Sequence, residues 1–161
     1  MTIQIGDRIP SATLSLATSE GPRPVSTDDF FQGRTVALFA VPGAFTPTCS
    51  ANHLPGFKTS LDDIKAKGID QVACLSVNDG WVMRAWGDSQ GVGEDEIAML
   101  GDGNGELTRA LGLTMDASRG GLGERSQRYA MVVKDGVVDQ LHVEQPGEFR
   151  VSSAEHLLTQ L

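Results

Sequence analysis

The run Val36-Ala37-Leu38-Phe39-Ala40-Val41-Pro42-Gly43-Ala44-Phe45-Thr46-Pro47-Thr48-Cys49-Ser50 passes from unbroken apolar sequence, through a Pro-Gly break, to a cysteine at the mouth of a helix-like stretch. Six apolar residues without alternation read as a strand buried on both faces. Pro42 and Gly43 end it. Ser50 to Lys67 reads as a helix, and Gly68 stands where a C′ glycine closes one. Ile69 to Val77 is a second apolar strand. A helix joins the two strands, so they are predicted to run parallel.

Upstream, Pro10 and Gly21-Pro22-Arg23-Pro24 punctuate a β-leaning region containing Ala12-Thr13-Leu14-Ser15-Leu16. Ser26-Thr27-Asp28-Asp29 caps a short helical turn that ends at Gly33. Downstream, Asp79 to Gln90 is helical by pattern, with Trp81, Val82, Ala85 and Trp86 expected as its packed stripe. Ile97 to Leu100 reads as a short strand and Glu106 to Gly112 as a short helix. Arg128 to Lys134 and Val137 to Val143 flank Asp135-Gly136, a two-residue hairpin signal. Ala154 to Leu161 reads as a closing helix. This order predicts a single α/β domain over residues 1–161, with a mixed central sheet flanked by helices. A parallel centre, a terminal hairpin and a last helix are the thioredoxin-like order.

The chain has 161 residues, 40% apolar and 21% charged, with a net charge of −8 and a sequence pI of about 4.7. That balance argues against nucleic acid or an anionic membrane as main partner, because nothing would neutralise phosphates. Arg119, Arg125 and Arg128 nonetheless fall close together and could serve a small anionic or polar ligand. Met1 to Asp7 has neither a basic nor an apolar leader segment, and no run approaches a membrane span. The cytoplasm is the expected compartment. Two cysteines, Cys49 and Cys74, do not make a disulfide framework. His142 and His156 have no partner at metal-ligand spacing, so no metal is expected. Gly101-Asp102-Gly103-Asn104-Gly105 lacks the lysine of a phosphate loop and reads as a tight turn.

Cys49 is the residue with the most chemical promise. A helix N-terminus offers unpaired N–H groups and a dipole that favour a thiolate, the nucleophilic form. Position alone equally suits a buried structural cysteine. Thr46, three residues earlier, can direct a hydroxyl at the sulfur and at an oxygen substrate. Pro42 and Pro47 stiffen the loop, and Pro42 could shield a thiolate without competing for hydrogen bonds. His53 lies four residues after Cys49, on the same helical face. It could be a hydrolase base, but no third triad member can be read off, and a histidine capping local polar groups is the favoured reading. Arg128 opens its strand. It reads as a solvated strand-end arginine unless the fold sets it beside Cys49, where it would support the thiolate and donate to an incoming oxygen.

Pro42 to Ser50, followed by His53-Leu54-Pro55-Gly56-Phe57, resembles the active-site segment of type II, peroxiredoxin-5-like peroxiredoxins of the AhpC/TSA-redoxin superfamily. Cys74-Leu75-Ser76-Val77-Asn78-Asp79 resembles that family's second strand and turn, Leu107 to Leu113 its short helix, and Gly123 to Val133 its arginine-bearing strand. The resemblance implies a thiol-dependent peroxidase that reduces hydrogen peroxide and alkyl hydroperoxides. Cys49 would be the nucleophile, passing through a sulfenic acid, with Thr46 bonding the peroxide, Pro42 closing the pocket and Arg128 polarising the O–O bond. No metal or other cofactor is implied. Some relatives carry a resolving cysteine before the last helix, where this chain has Phe149-Arg150-Val151-Ser152-Ser153. Cys74 is the internal candidate for that role, and a buried strand cysteine is the favoured reading of it. Cys49 would then work alone and be recycled by an external thiol, glutathione with glutaredoxin, or thioredoxin. A homodimer is implied by the resemblance. A slow peroxide-responsive redox sensor or interaction protein on the same fold is the alternative.

Overall fold

The apolar run at residues 36–41 lies at the heart of a mixed sheet. In chain order, the computed structural model, which describes residues 1–161, contains β1 (Thr13–Thr18), β2 (Gly21–Ser26), α1 (Thr27–Phe31), β3 (Thr35–Ala40), α2 (Leu54–Thr59), α3 (Leu61–Ala66), β4 (Gln71–Ser76) and α4 (Gly80–Ser89). There follow β5 (Ile97–Gly101), α5 (Glu106–Leu111), β6 (Thr114–Asp116), β7 (Glu124–Ser126), β8 (Tyr129–Lys134), β9 (Val137–Val143) and α6 (Ala154–Gln160). Seven strands pair in the order β2-β1-β5-β4-β3-β8-β9, and β6 with β7 forms a separate hairpin. The centre β5-β4-β3 is parallel, and β1, β2, β8 and β9 join antiparallel. This is the thioredoxin-like α/β arrangement that the sequence order predicts.

Both faces of the central strands are covered, which is why they show no polar alternation. The period of two divides them cleanly. Ala37, Phe39, Val41, Val72, Cys74, Ala130 and Val132 pack on one face with Leu54, Phe57, Ile64, Met83, Trp86 and Leu157 from α2, α3, α4 and α6. Val36, Leu38, Ala40, Ala73, Leu75, Tyr129 and Met131 pack on the other with Phe30, Phe31, Leu107 and Leu111 from α1 and α5. Cys74 therefore projects to the same side as Cys49, which lies in the first of these cores.

Local signals place most ends. The Ser26, Asp79 and Ser153 side chains accept backbone N–H groups from the first turns of α1, α4 and α6, as N-caps do. Asp135 and Gly136 take positive φ values of 49° and 81°, the geometry of a type I′ hairpin.

Two expectations fail, and one element is unforeseen. Residues 50–67 do not form one helix. Cys49–His53 is a wide π turn, with the Leu54 N–H donating to the Cys49 carbonyl, and the chain breaks again at Ser60 between α2 and α3. Pro55 accounts for the first departure: it has no N–H to give the carbonyl four residues back, and its ring would crowd that carbonyl. The packed stripe on α4 also differs. Trp81 is 73% exposed and Ala85 is exposed, whereas Met83, Trp86 and Gly87 are buried. The first turn of α4 points Trp81 away from the sheet, and Gly87 allows the close approach of Met99, whose Cγ would lie 3.2 Å from an added Cβ. Finally, the β6–β7 hairpin is missing from the sequence reading. Its strands are three residues each, too short for a hydrophobic period to show.

Candidate active site

Cys49 sits where the chain leaves the C-terminal end of β3, the end at which open α/β sheets bind their ligands. The loop is held at three points. The Asn78 side-chain carbonyl accepts the Ala44 N–H at 3.0 Å and the Ser76 hydroxyl at 2.6 Å, tying the loop to the end of β4. The Ser50 N–H donates to the Thr46 carbonyl at 2.9 Å. The Trp86 indole N–H donates to the Ser50 hydroxyl at 3.0 Å. Between these ties Phe45 adopts φ 63° and remains 55% exposed, a left-handed conformation that a bulky residue holds only where its surroundings impose it.

The Cys49 side chain is fully buried, yet two donors reach its sulfur. Thr46 Oγ1 lies 2.8 Å from Sγ and 2.7 Å from the Gly43 carbonyl. One hydroxyl proton serves one acceptor at a time. It can point at a thiolate, or turn to Gly43 and leave a lone pair facing the site. Arg128 Nη2 donates to Sγ at 3.1 Å.

Sheet register explains how a residue so distant in sequence arrives there. Ala40 pairs with Tyr129, so Arg128 lies beside Val41. Arg128 shares the parity of Ala130 and Val132, and its side chain therefore projects to the Cys49 face. The solvated strand-end reading of Arg128 is replaced by a half-buried guanidinium with two site partners.

The second partner is His53. Arg128 Nη1 meets His53 Nδ1 at 2.8 Å, and His53 Nε2 meets the Ser152 carbonyl at 2.9 Å. A carbonyl can only accept, so Nε2 carries the proton and Nδ1 accepts from the guanidinium. His53 is fully buried among Phe39, Phe57 and Phe149. Burial first, and then the Arg128 charge, hold its pKa down at about 3. It is a neutral link between a loop carbonyl and the arginine. Both ring nitrogens are occupied by partners other than sulfur, which removes the geometric basis of a Cys–His hydrolase. Its partners are not the local polar groups expected of a cap: Ser152 and Arg128 lie 99 and 75 residues away in the chain.

The other sequence candidates divide. Pro42 is half-buried at the rim, directly after β3. Its carbonyl faces Arg125 Nη1 at 3.5 Å, while Arg125 Nε donates to the Leu122 carbonyl at 2.9 Å. Arg125, carried on β7, is thus brought to the edge of the Cys49 loop, whereas Arg119 is exposed. Cys74 is fully buried on β4, and both cysteines are free thiols. Burial, and secondarily the proximity of Cys49, push the Cys74 thiol well above its usual range, which suppresses its nucleophilic form. Asn78 escaped notice as a site residue because an amide at a strand end has no signature beyond turn propensity.

A buried sulfur with two aimed donors can attack an electrophile and stabilise charge developing beside it. Comparison with known proteins agrees with that chemistry. Residues 4–158 match the family described as Redoxin. The chain is 52% identical over 164 residues to peroxiredoxin-2E-2, chloroplastic, of Oryza sativa subsp. japonica, covering 99% of this chain and 73% of that protein. It is 44% identical to peroxiredoxin-2D of Arabidopsis thaliana, covering 99% and 98%. A crystal structure of reduced Prx3 in complex with hydrogen peroxide from Vibrio vulnificus superposes with a TM-score of 0.94 at 51% identity, covering 99% of both chains.

The chain belongs to the redoxin family. Within it, the chain is a peroxiredoxin of the AhpC/TSA superfamily, a thiol-dependent peroxidase acting on peroxide with thiol reductants.

Proposed function

We propose that Cys49 is the peroxidatic cysteine of a one-cysteine peroxiredoxin, with Thr46, Arg128 and Pro42 completing the site. The observation that carries this reading is the pair of donors on one buried sulfur, Thr46 Oγ1 at 2.8 Å and Arg128 Nη2 at 3.1 Å. The thiolate attacks one peroxide oxygen, forming an S–O bond as the O–O bond breaks. The departing oxygen leaves as hydroxide, or as alkoxide from an alkyl hydroperoxide, and takes up a proton. Cys49 becomes a sulfenic acid. Arg128 stabilises the thiolate beforehand and the developing negative charge during attack, where fixed donors act most strongly. Thr46, freed to turn its hydroxyl, orients the peroxide. Pro42 closes the rim without adding an N–H that would compete for the sulfur.

An external thiol, glutathione with glutaredoxin or thioredoxin, then attacks the sulfenic sulfur and expels water, and a second thiol releases reduced Cys49. Cys74 remains structural. Its burial and suppressed ionisation support this, as does its place mid-strand between Phe39 and Met99, which denies it the mobility a disulfide with Cys49 requires. We also propose that the whole chain works as one domain, as a homodimer, in the cytoplasm. No helix is long and apolar enough to cross a membrane. Light scattering tests the dimer, and cell fractionation tests the compartment.

The decisive experiment treats the reduced protein with one equivalent of hydrogen peroxide and dimedone, then measures intact mass without reductant. One dimedone adduct on Cys49 is the expected result. Loss of two hydrogens within one chain refutes the one-cysteine mechanism.

A further inference from the structure

Glu144 is 7% exposed and has no cationic partner within its own hydrogen-bonding shell. One of its oxygens, Oε2, instead accepts the Arg150 N–H at 2.7 Å, the Ser152 N–H at 2.8 Å and the Ser152 hydroxyl at 2.7 Å. Burial opposes its charge, but these donors and the Val151 N–H hold its carboxyl below the usual range. The segment Arg150–Ser152 is thereby wrapped around a single carboxylate. The carbonyl at the end of that wrap, Ser152 O, fixes the proton of His53 on Nε2. The Glu144 N–H also donates to the Arg128 carbonyl at 3.0 Å, so this one residue touches both ends of the relay.

We propose that Glu144 is a positioning residue for the peroxidase reaction: by holding the Arg150–Ser152 segment, it aims the Ser152 carbonyl that sets the His53 tautomer, and so keeps Arg128 directed at Cys49. This rests on the role given above to Arg128. The physical need is specific. If His53 carried its proton on Nδ1, or on both nitrogens, an N–H would face the Arg128 N–H. The guanidinium would then lose an acceptor and swing. Phe149 packs against His53 with ring centroids 5.0 Å apart and has the Arg128 guanidinium 5.9 Å from its own centroid. Loosening the segment that follows Phe149 therefore loosens both partners.

The test compares wild type, Glu144→Ala, Glu144→Gln, Ser152→Ala and Arg128→Ala. The readouts are the rate of Cys49 oxidation by hydrogen peroxide, the imidazole 15N shifts of His53 and the melting temperature. In Glu144→Ala we expect oxidation about tenfold slower, as befits misdirection of one charge-assisted hydrogen bond. We also expect loss of the Nε2–H signature. Glu144→Gln, which keeps an acceptor oxygen, restores most of both. Ser152→Ala removes one of the three donors on Oε2 without touching the carbonyl, and shifts both readouts the same way by about threefold in rate. If Glu144→Ala does not fold, the Gln and Ser152 variants decide the matter alone. A folded Glu144→Ala, or Ser152→Ala in its place, that keeps either the wild-type rate or the wild-type tautomer overturns the proposal, because a merely structural carboxylate would lower only the melting temperature. Arg128→Ala separates the two levels: if it reacts as fast as wild type, the reading of Arg128 itself falls.

Discussion

Acidification should begin to destabilise this protein through His53 before its carboxylates matter. In the native state the buried ring beside Arg128 resists protonation down to about pH 3, against an ordinary value of 6.5. Below pH 6.5 the unfolded chain therefore binds a proton that the folded chain refuses. The stability is fully present above pH 6.5 and is lost as pH falls toward 3. Each pH unit within that window removes about 1.4 kcal/mol. Going from pH 6.5 to pH 5 should thus remove about 2 kcal/mol, a large share of the roughly 5–15 kcal/mol typical of a folded domain. Glu144, whose carboxyl is also held low, has the same sign but acts only below the unfolded carboxylate range, so the two windows separate. His142, half-buried against His156, is also lowered and acts in the His53 window. The assay must therefore be a difference. Urea unfolding is measured at intervals from pH 7 to pH 5 for wild type and for His53→Gln, which keeps a donor for Ser152 and cannot titrate. The wild-type curve should fall more steeply, by about 1.4 kcal/mol per unit below pH 6.5. Parallel curves would refute the reasoning, since they would mean that native His53 takes up its proton as readily as the unfolded chain does.

Arg128→Ala should slow peroxide oxidation of Cys49 by about a hundredfold or more, in the range seen when a preorganised donor to developing charge is lost, while its melting temperature falls little; stopped-flow and thermal melts compare the two, and proportionate losses would contradict an electrostatic role. Thr46→Val removes the hydroxyl that reaches both Sγ and the Gly43 carbonyl, and should cost about one order of magnitude or more in the same rate constant. Cys74→Ala should retain peroxidase turnover with an external thiol and lose stability by roughly 1–2 kcal/mol from the small buried cavity; abolished turnover would make Cys74 the resolving cysteine. High peroxide should convert Cys49 to sulfinic acid, seen as a mass gain of two oxygens that thiol cannot reverse, and persistence of a reversible species alone would count against a slowly resolved sulfenic acid.

Much of the fold could be read from local pattern. The unbroken apolar runs at 36–41 and 72–75 announce strands covered on both faces. Ser26, Asp79 and Asp135-Gly136 mark ends whose geometry is set by a few neighbouring atoms. Where patterns were short or two local rules competed, the reading failed. Pro55 turned one expected helix into a π turn and two short helices. The three-residue strands of the β6–β7 hairpin left no period, and with them went the placement of Arg125. Trp81, apolar at helical spacing, proved exposed because the sheet lies against Met83 and Trp86 instead.

The same division runs through the site. Thr46 and Cys49 are three residues apart, so the sequence by itself determined that a hydroxyl and a sulfur would share one tight loop at the end of a buried strand. It also determined the thioredoxin-like order of elements and the lack of a cysteine from 149 to 153. Only the tertiary structure decided that Arg128 reaches the sulfur, because that depends on β8 pairing antiparallel with β3 in one register; a shift of one residue would turn the guanidinium to the opposite face. Only it decided the tautomer of His53, which is set by a carbonyl 99 residues away, and the seating of that carbonyl by Glu144. Contacts between neighbours in sequence are constrained by chain geometry alone. Contacts across such distances exist only after the core has fixed which strands lie side by side and which faces they turn to one another.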